Sequence, residues 1–110
     1  MITPRFDELI HAPTRLSLVA FLAATEWADF AVLRDSVGLS DSALSKQLTT
    51  LADAGYVEIR KAFVGKRPRT SARLTVAGRT AFDGHVAALQ EIVAGAGRSL
   101  APTGRAAQPS

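Results

Sequence analysis

The stretch Gly38-Leu39-Ser40-Asp41-Ser42-Ala43-Leu44-Ser45-Lys46-Gln47-Leu48-Thr49-Thr50-Leu51-Ala52-Asp53-Ala54-Gly55-Tyr56-Val57 decides how this chain folds. Leu44, Leu48 and Leu51 stand at i, i+4 and i+7, one apolar stripe on an otherwise polar helix. Ser40 is a good N-cap because its hydroxyl can accept from an unpaired N–H of the first turn, where Asp41 also suits the helix dipole. Gly55 closes this helix, which is predicted over Asp41–Ala54. Upstream, Gly38 can take the left-handed conformation that ends a helix, and Leu39 can pack into the angle that results. Before it, Val32, Leu33 and Val37 lie at core spacing and mark a short helix from Ala31 to Val37. A short helix, a three-residue turn containing glycine and a second helix have helix-turn-helix spacing.

Downstream of Gly55 the period changes. Tyr56, Val57, Ile59, Phe63 and Val64 are β-formers interleaved with Glu58, Arg60 and Lys61. Gly65-Lys66-Arg67-Pro68-Arg69 is read as a turn, since glycine and proline both punctuate there. Thr70–Leu74 returns as a second strand with Ala72 and Leu74 toward the core, giving a hairpin whose tip carries Lys66, Arg67 and Arg69. Thr75 is the expected N-cap of a last helix from Val76 to about Ala94, with a seam of Phe82, Val86, Leu89 and Val93 suited to helix-on-helix packing. Gly, Pro, Ser, Ala and Arg dominate from Gly95 on. The expected organisation is one domain over residues 1–94 and a disordered tail over 95–110.

Upstream, His11-Ala12-Pro13-Thr14 opens a first helix running to about Ala24, since proline is tolerated in the first turn. Leu16, Val19, Ala20 and Ala23 form one apolar stripe on it, and Leu18, Phe21 and Leu22 a second. A helix apolar nearly all round requires cover on both sides. One side is expected to meet the chain's own core and the other a partner subunit. Glu26–Phe30 is a connection with room for a brief strand.

The 110 residues fit one domain, and 47% are apolar, enough for a buried core. Net charge is only +3, but residues 1–59 hold four basic and eight acidic side chains, whereas residues 60–110 hold nine basic and two acidic. Between Arg60 and Arg79 there are seven basic residues and no acid, which suggests a face made for a polyanion. With no cysteine, disulfides, thiolate metal sites and cysteine nucleophiles are excluded. No apolar run approaches the ~20 residues that span a bilayer, and the N-terminus lacks the order of a signal peptide, so a cytoplasmic protein with no membrane partner is expected. His11 and His85 lie on different predicted elements and outside metal-ligand spacing, and no phosphate-binding glycine loop is present. Neither an enzyme, nor a metal, nor a cofactor is expected.

Helix, helix, turn, helix, two-stranded wing, helix is the winged helix-turn-helix order, mainly α with a two-stranded β-wing. Ser40 to Leu48, followed by Leu51-Ala52-Asp53-Ala54-Gly55-Tyr56-Val57, resembles the recognition helix of MarR-type and ArsR-type repressors, which runs straight into the wing strand. Leu74-Thr75-Val76-Ala77-Gly78-Arg79 resembles the segment that opens the last helix of MarR-type proteins. Ile10–Leu16 and the wing Gly65–Thr70 look closest to a compact single-domain subgroup, from which the chain departs at Ser42-Ala43 and Gln47. The resemblance covers roughly residues 6–94 and implies a homodimeric regulator, a repressor, on double-stranded DNA.

In that arrangement one helix enters the major groove. Ser42, Ala43, Lys46, Gln47 and Thr50 are expected to point outward, with Ser45 and Thr49 on the flank. Gln47 can pair with adenine, Lys46 with guanine or phosphate, and the Ala43 methyl with thymine. Arg67 or Arg69 is expected in a narrow minor groove, with Lys66 and Arg73 on the backbone. The expected dimer interface draws on Leu18, Phe21, Leu22, Phe82, His85, Val86, Leu89 and Val93, some of which must be intramolecular core. Two other readings stay open: a winged helix that binds protein, which has little need of a Lys-Arg-Pro-Arg tip, and a sensor with a small-molecule effector in a cleft near Trp27 and Phe30.

Overall fold

Pro13 starts the helix around which the rest is arranged, and it occupies the first turn, where a missing N–H costs nothing. The computed structural model describes residues 2–100. Its elements are α1 (Glu8–His11), α2 (Pro13–Ala23), β1 (Ala28–Asp29), α3 (Phe30–Val37), α4 (Asp41–Asp53), β2 (Val57–Val64), β3 (Arg67–Leu74) and α5 (Val76–Leu100). The predicted α-α-α-β-β-α order is present, preceded by the single turn α1. The two-residue β1 adds a third, antiparallel strand beside β3, in the order β1-β3-β2.

The helix α2 packs against α1, α3, α4, β3 and α5. Leu18, Val19 and Leu22 are fully buried, and Leu16 and Phe21 pack against the same core. The chain itself therefore covers Leu18, Val19 and Leu22 completely, leaves Leu16 and Phe21 half-buried and leaves Ala20 exposed. Leu18 and Leu22, expected among the interface residues, are core instead, because five elements of one chain surround this helix. Leu33, Leu44 and Leu51 are fully buried beside them, and Leu48 nearly so. Each such leucine gains about 1.5–3 kcal/mol on leaving water.

The turn before α4 forms as its residues dictate. Gly38 is left-handed (φ +70°), and its N–H and that of Leu39 donate to the Arg34 carbonyl at 2.9 and 3.1 Å. Ser40 Oγ accepts from the Ala43 N–H at 3.2 Å. Arg34 then reaches over the turn to Asp41 (2.9 Å) as well as to Asp35 (3.0 Å), joining the end of α3 to the start of α4.

The first turn of α5 explains Leu74-Thr75-Val76-Ala77-Gly78-Arg79. Thr75 Oγ1 accepts from the Gly78 N–H at 3.0 Å and donates to the Gly55 carbonyl at 2.6 Å. A Cβ at Gly78 would lie 2.1 Å from the Tyr56 carbonyl oxygen, so only glycine lets α5 approach the start of β2 this closely. Arg79 donates to the Ala23 carbonyl, one of the last of α2, at 3.1 Å. One turn of helix is thus fastened to both α2 and the hairpin.

Two boundaries differ from the sequence reading. The connection between β2 and β3 is only Gly65-Lys66, and Arg67, Pro68 and Arg69 belong to β3, paired with Val64, Phe63 and Ala62. Proline is accepted because β1 pairs only at Ser71 and Ala72, leaving β3 at Pro68 with an edge that needs no N–H donor. The helix α5 continues through Leu100, past the expected end at Ala94 and into the segment expected to be a tail, and residues 101–110 lie outside the described residues.

Candidate nucleic-acid interface

A helix whose inner face is three leucines must show its polar residues outside, and in α4 the exposed ones are Ser42, Ser45, Lys46 and Thr49, with Asp41 and Asp53 at its two ends. Ala43, Gln47 and Thr50 are half-buried. This reverses part of the predicted order, in which Ser45 and Thr49 were on the flank and Gln47 outside. The cause is helical geometry: Gln47 is three residues after Leu44 and four before Leu51, which brings it toward the buried side. Arg15 Nη1 donates to Gln47 Oε1 at 3.0 Å while Arg15 Nε donates to the Leu9 carbonyl at 2.6 Å. Gln47 thus ties α4 to α2, and its amide oxygen is already occupied. The Thr50 hydroxyl donates to the Lys46 carbonyl at 3.0 Å.

Ser45 and Thr49 line a groove with Asp41, Phe30, Ile59, Lys61 and Thr70. The strand period puts Val57, Ile59, Lys61 and Phe63 on one face of β2, the face that meets α4. Lys61 is therefore a cation beside the exposed side of α4. Lys61 is not among the residues expected at the site, although its two-residue spacing from Val57 and Ile59 carries the signal.

The opposite face of the hairpin carries Glu58, Arg60, Ala62 and Val64 opposite Arg73, Ser71, Arg69 and Arg67. Trp27 is half-buried there, with the guanidinium carbons of Arg60 and Arg73 at 4.1 and 4.6 Å from its ring centroid. Arg73 also donates to Glu58 at 2.8 and 2.9 Å. Arg69 lies 3.6 Å from Asp29, which itself accepts from the Ser71 hydroxyl at 3.4 Å. Arg73 and Arg69 are thus engaged at the base of the hairpin and along its stem. Lys66 and Arg67, at the tip, are exposed and form no ion pair among the described residues.

The two histidines, remote in sequence, meet. The Asp7 N–H donates to His85 Nδ1 at 3.0 Å, so His85 carries its proton on Nε2 and presents it to His11 Nδ1 at 3.2 Å. The Phe6 ring packs at 4.7 Å from both imidazoles. The Tyr56 hydroxyl donates to Asp7 at 2.6 Å, and the Arg5 N–H donates to the Gly84 carbonyl at 2.9 Å, so residues 5–7 are strapped across α5. Burial, then the neighbouring His11, push His85 below the ordinary imidazole pKa against the opposing pull of Asp7 and Glu8. Burial would raise Asp7, but hydrogen bonds from Tyr56, Ile10 and Leu9 outweigh it and hold the carboxyl below its usual range. The bond to Asp7, then burial, raise Tyr56. His85 is fully buried inside the chain, a core position where an interface position was expected. A cavity of about 640 Å³ lies under this strap, lined by Arg5, Asp7, Tyr56, Thr80 and Asp83 among others, and no residue of α4 or the hairpin lines it. Of the two aromatics named for an effector cleft, Trp27 carries two guanidinium groups over its ring and Phe30 lines the groove beside α4.

Along α5 the expected interface set separates further. Phe82, Val86 and Leu89 are half-buried, as is Phe21 on α2, and Val93 is 70% exposed next to Ile92 at 57%. No helix among the described residues is long and apolar enough to cross a membrane.

A family model for the winged helix DNA-binding domain matches residues 14–93, from the start of α2 to the far half of α5. The chain belongs to this family. An uncharacterized protein of Methanocaldococcus jannaschii is 28% identical over 79 residues, 72% of this chain and 86% of that one. Among solved structures, a transcriptional regulator homologue from Pyrococcus horikoshii OT3 superposes with a TM-score of 0.76 at 23% identity, over 82% of this chain and 89% of that chain. A regulator assigned to the MarR family from Enterococcus faecalis V583 superposes with a TM-score of 0.70 at 21% identity, over 83% and 82%. The winged-helix fold is common to all of these structures and to this chain.

Proposed function

We propose that this winged-helix chain is a sequence-specific regulator of transcription, a repressor that acts in the cytoplasm as a homodimer on a roughly palindromic operator. The observation that carries this reading is the continuity of one surface. Ser45 and Thr49 of α4 share a groove with Lys61, Ser42 and Lys46 are exposed on the same helix, and the hairpin then ends in Lys66 and Arg67, which form no ion pair among the described residues. α4 enters the major groove, where a helix fits, and the tip follows the backbone into the adjacent minor groove. Lys46 reads guanine or phosphate; Ser42 and the α4 hydroxyls hold the register through phosphates. Phe82, Val86, Leu89 and Val93 of α5, with Phe21 beside them, supply the dimer seam, and Val93 and Ile92 have the exposed apolar area that a second copy would cover. Two copies joined in this way read half-sites about 34–36 Å apart.

Fluorescence anisotropy with labelled duplexes from a random pool and from DNA upstream of the gene tests the reading. With six to ten phosphates neutralised per dimer, affinity falls ~10³–10⁵-fold between 50 and 200 mM salt. The Lys66→Ala/Arg67→Ala double variant binds more weakly with a shallower salt slope. Absence of binding at low salt, in wild type and variant alike, overturns the proposal and leaves a protein-binding winged helix. Sedimentation of the free chain gives the oligomeric state independently.

A further inference from the structure

The charge of the hairpin tip is accounted for above, but its most exposed aromatic side chain is not. Phe63 is 74% exposed, on the face of β2 where Val57 is 4% exposed and Lys61 lines the groove beside α4. Scattered exposed apolar residues are ordinary on a protein surface. This one differs in three respects. It lies directly opposite Pro68, so a rigid ring stands behind it on the same face. It is two residues from a connection of only Gly65-Lys66, which makes the projecting end as narrow as a two-stranded ribbon can be. And the charged side chains nearest to it in the hairpin, Lys61, Lys66, Arg67 and Arg69, are all cationic, with no acid anywhere between Arg60 and Arg79.

An apolar tip inside a ring of cations repels other basic surfaces and fits a polyanion that has an apolar interior. Duplex DNA is such a partner, because stacked bases lie behind a wall of phosphates. We infer that Phe63 is an apolar wedge that enters the minor groove between the phosphate contacts of Lys66 and Arg67, partly unstacks one base step and bends the duplex there. Wedges of this kind open the step on the minor-groove side and kink the duplex toward the major groove. The inference rests on the DNA-binding reading and extends it, since Phe63 then determines specificity without any hydrogen bond to a base. Pyrimidine–purine steps unstack most easily, so the operator carries such a step under each wing.

The test uses the full-length chain and a duplex of about 30 base pairs recovered from a random pool by wild-type protein. One version holds a fluorescent adenine analogue at the step under the wing, and another carries a donor and an acceptor dye at its ends. Wild type raises the analogue's fluorescence and shortens the end-to-end distance. Phe63→Ala abolishes both signals and lowers affinity on the order of tenfold, yet leaves the salt slope unchanged because no phosphate contact is lost. It also erases the preference for a pyrimidine–purine over a purine–purine step. Phe63→Leu, another wedge side chain, restores part of each signal, which a mere change in surface polarity would not. If Phe63→Ala keeps the bend and the step preference, the wedge is overturned while the regulator stands. If wild type binds no duplex at any salt, the regulator reading and the wedge fall together.

Discussion

The base and the tip of the β2–β3 hairpin are built from the same residue types and do different things. At the base, Arg60 and Arg73 both lie over the Trp27 ring, Arg73 pairs with Glu58, and further along the stem Arg69 approaches Asp29. At the tip, Lys66 and Arg67 stand among exposed residues and form no ion pair among the described residues. A run of seven cations in the sequence thus divides into arginines that shape the protein and cations left for a ligand. What separates them is a rigid stem: guanidinium groups close to the core find the Trp27 ring or carboxylates on β1 and β2, and Arg67 beyond it finds neither among the described residues.

Four measurements would break or sharpen this contrast. The largest effect is expected at the anchor of the base. Gly78→Ala drives a methyl into the Tyr56 carbonyl, forcing α5 away from β2, and should cost about 1–3 kcal/mol. Thermal unfolding should register this as a fall in Tm of roughly 5–15 °C. At the tip, Arg67→Ala should leave Tm unchanged, weaken DNA binding about tenfold, and reduce the salt slope by roughly 1 per chain. A drop in Tm instead would make the tip structural.

The N-terminal strap supplies a control outside the hairpin. His85 is neutral in the fold with its pKa held below 6.5, so the stability it confers is complete above about pH 6.5 and is lost as pH falls through the lowered value. The neighbouring His11 adds to this destabilisation of the charged His85, while Asp7 and Glu8 oppose it. Protonation of Nδ1 also removes the acceptor for the Asp7 N–H. Unfolding followed from pH 7 to pH 5 should show Tm falling, and His85→Gln should flatten that slope; parallel slopes would relieve His85 of the role. The smallest effect belongs to Arg73→Ala. Arg73 and Glu58 are each about half exposed, so stability should change by about 0.5 kcal/mol and DNA affinity less than twofold. A loss as large as that of Arg67→Ala would erase the distinction between base and tip.

Much of this was legible in the residues, for reasons that can be stated. Ser40, Gly38 and the Leu44/Leu48/Leu51 stripe act locally, and local signals survive in a linear text; Thr75 as a cap is another such case. Pro68 misled because its effect depends on whether a strand has a free edge, which is a property of the sheet. The glycines after Ala94 lowered helix propensity on paper, yet α5 continues through them. Gln47 and Arg73 were assigned to DNA because the partners that occupy them, Arg15 and Glu58, are distant in sequence. His11 and His85 looked unrelated for the same reason. Lys61 could have been found by counting in twos from Val57.

The first turn of α5 has a consequence for how such a protein is tuned. That turn holds the Tyr56 carbonyl on one side and the end of α2 on the other, so a rotation of α5 cannot be absorbed at its root and is handed on to the hairpin. In a pair of copies clasped along α5, the gap between the two hairpin tips becomes a function of a single crossing angle, as the opening of a pair of calipers is set at its hinge. A substitution far out on α5 that alters how the two helices cross would change which operators fit without touching any residue that meets DNA.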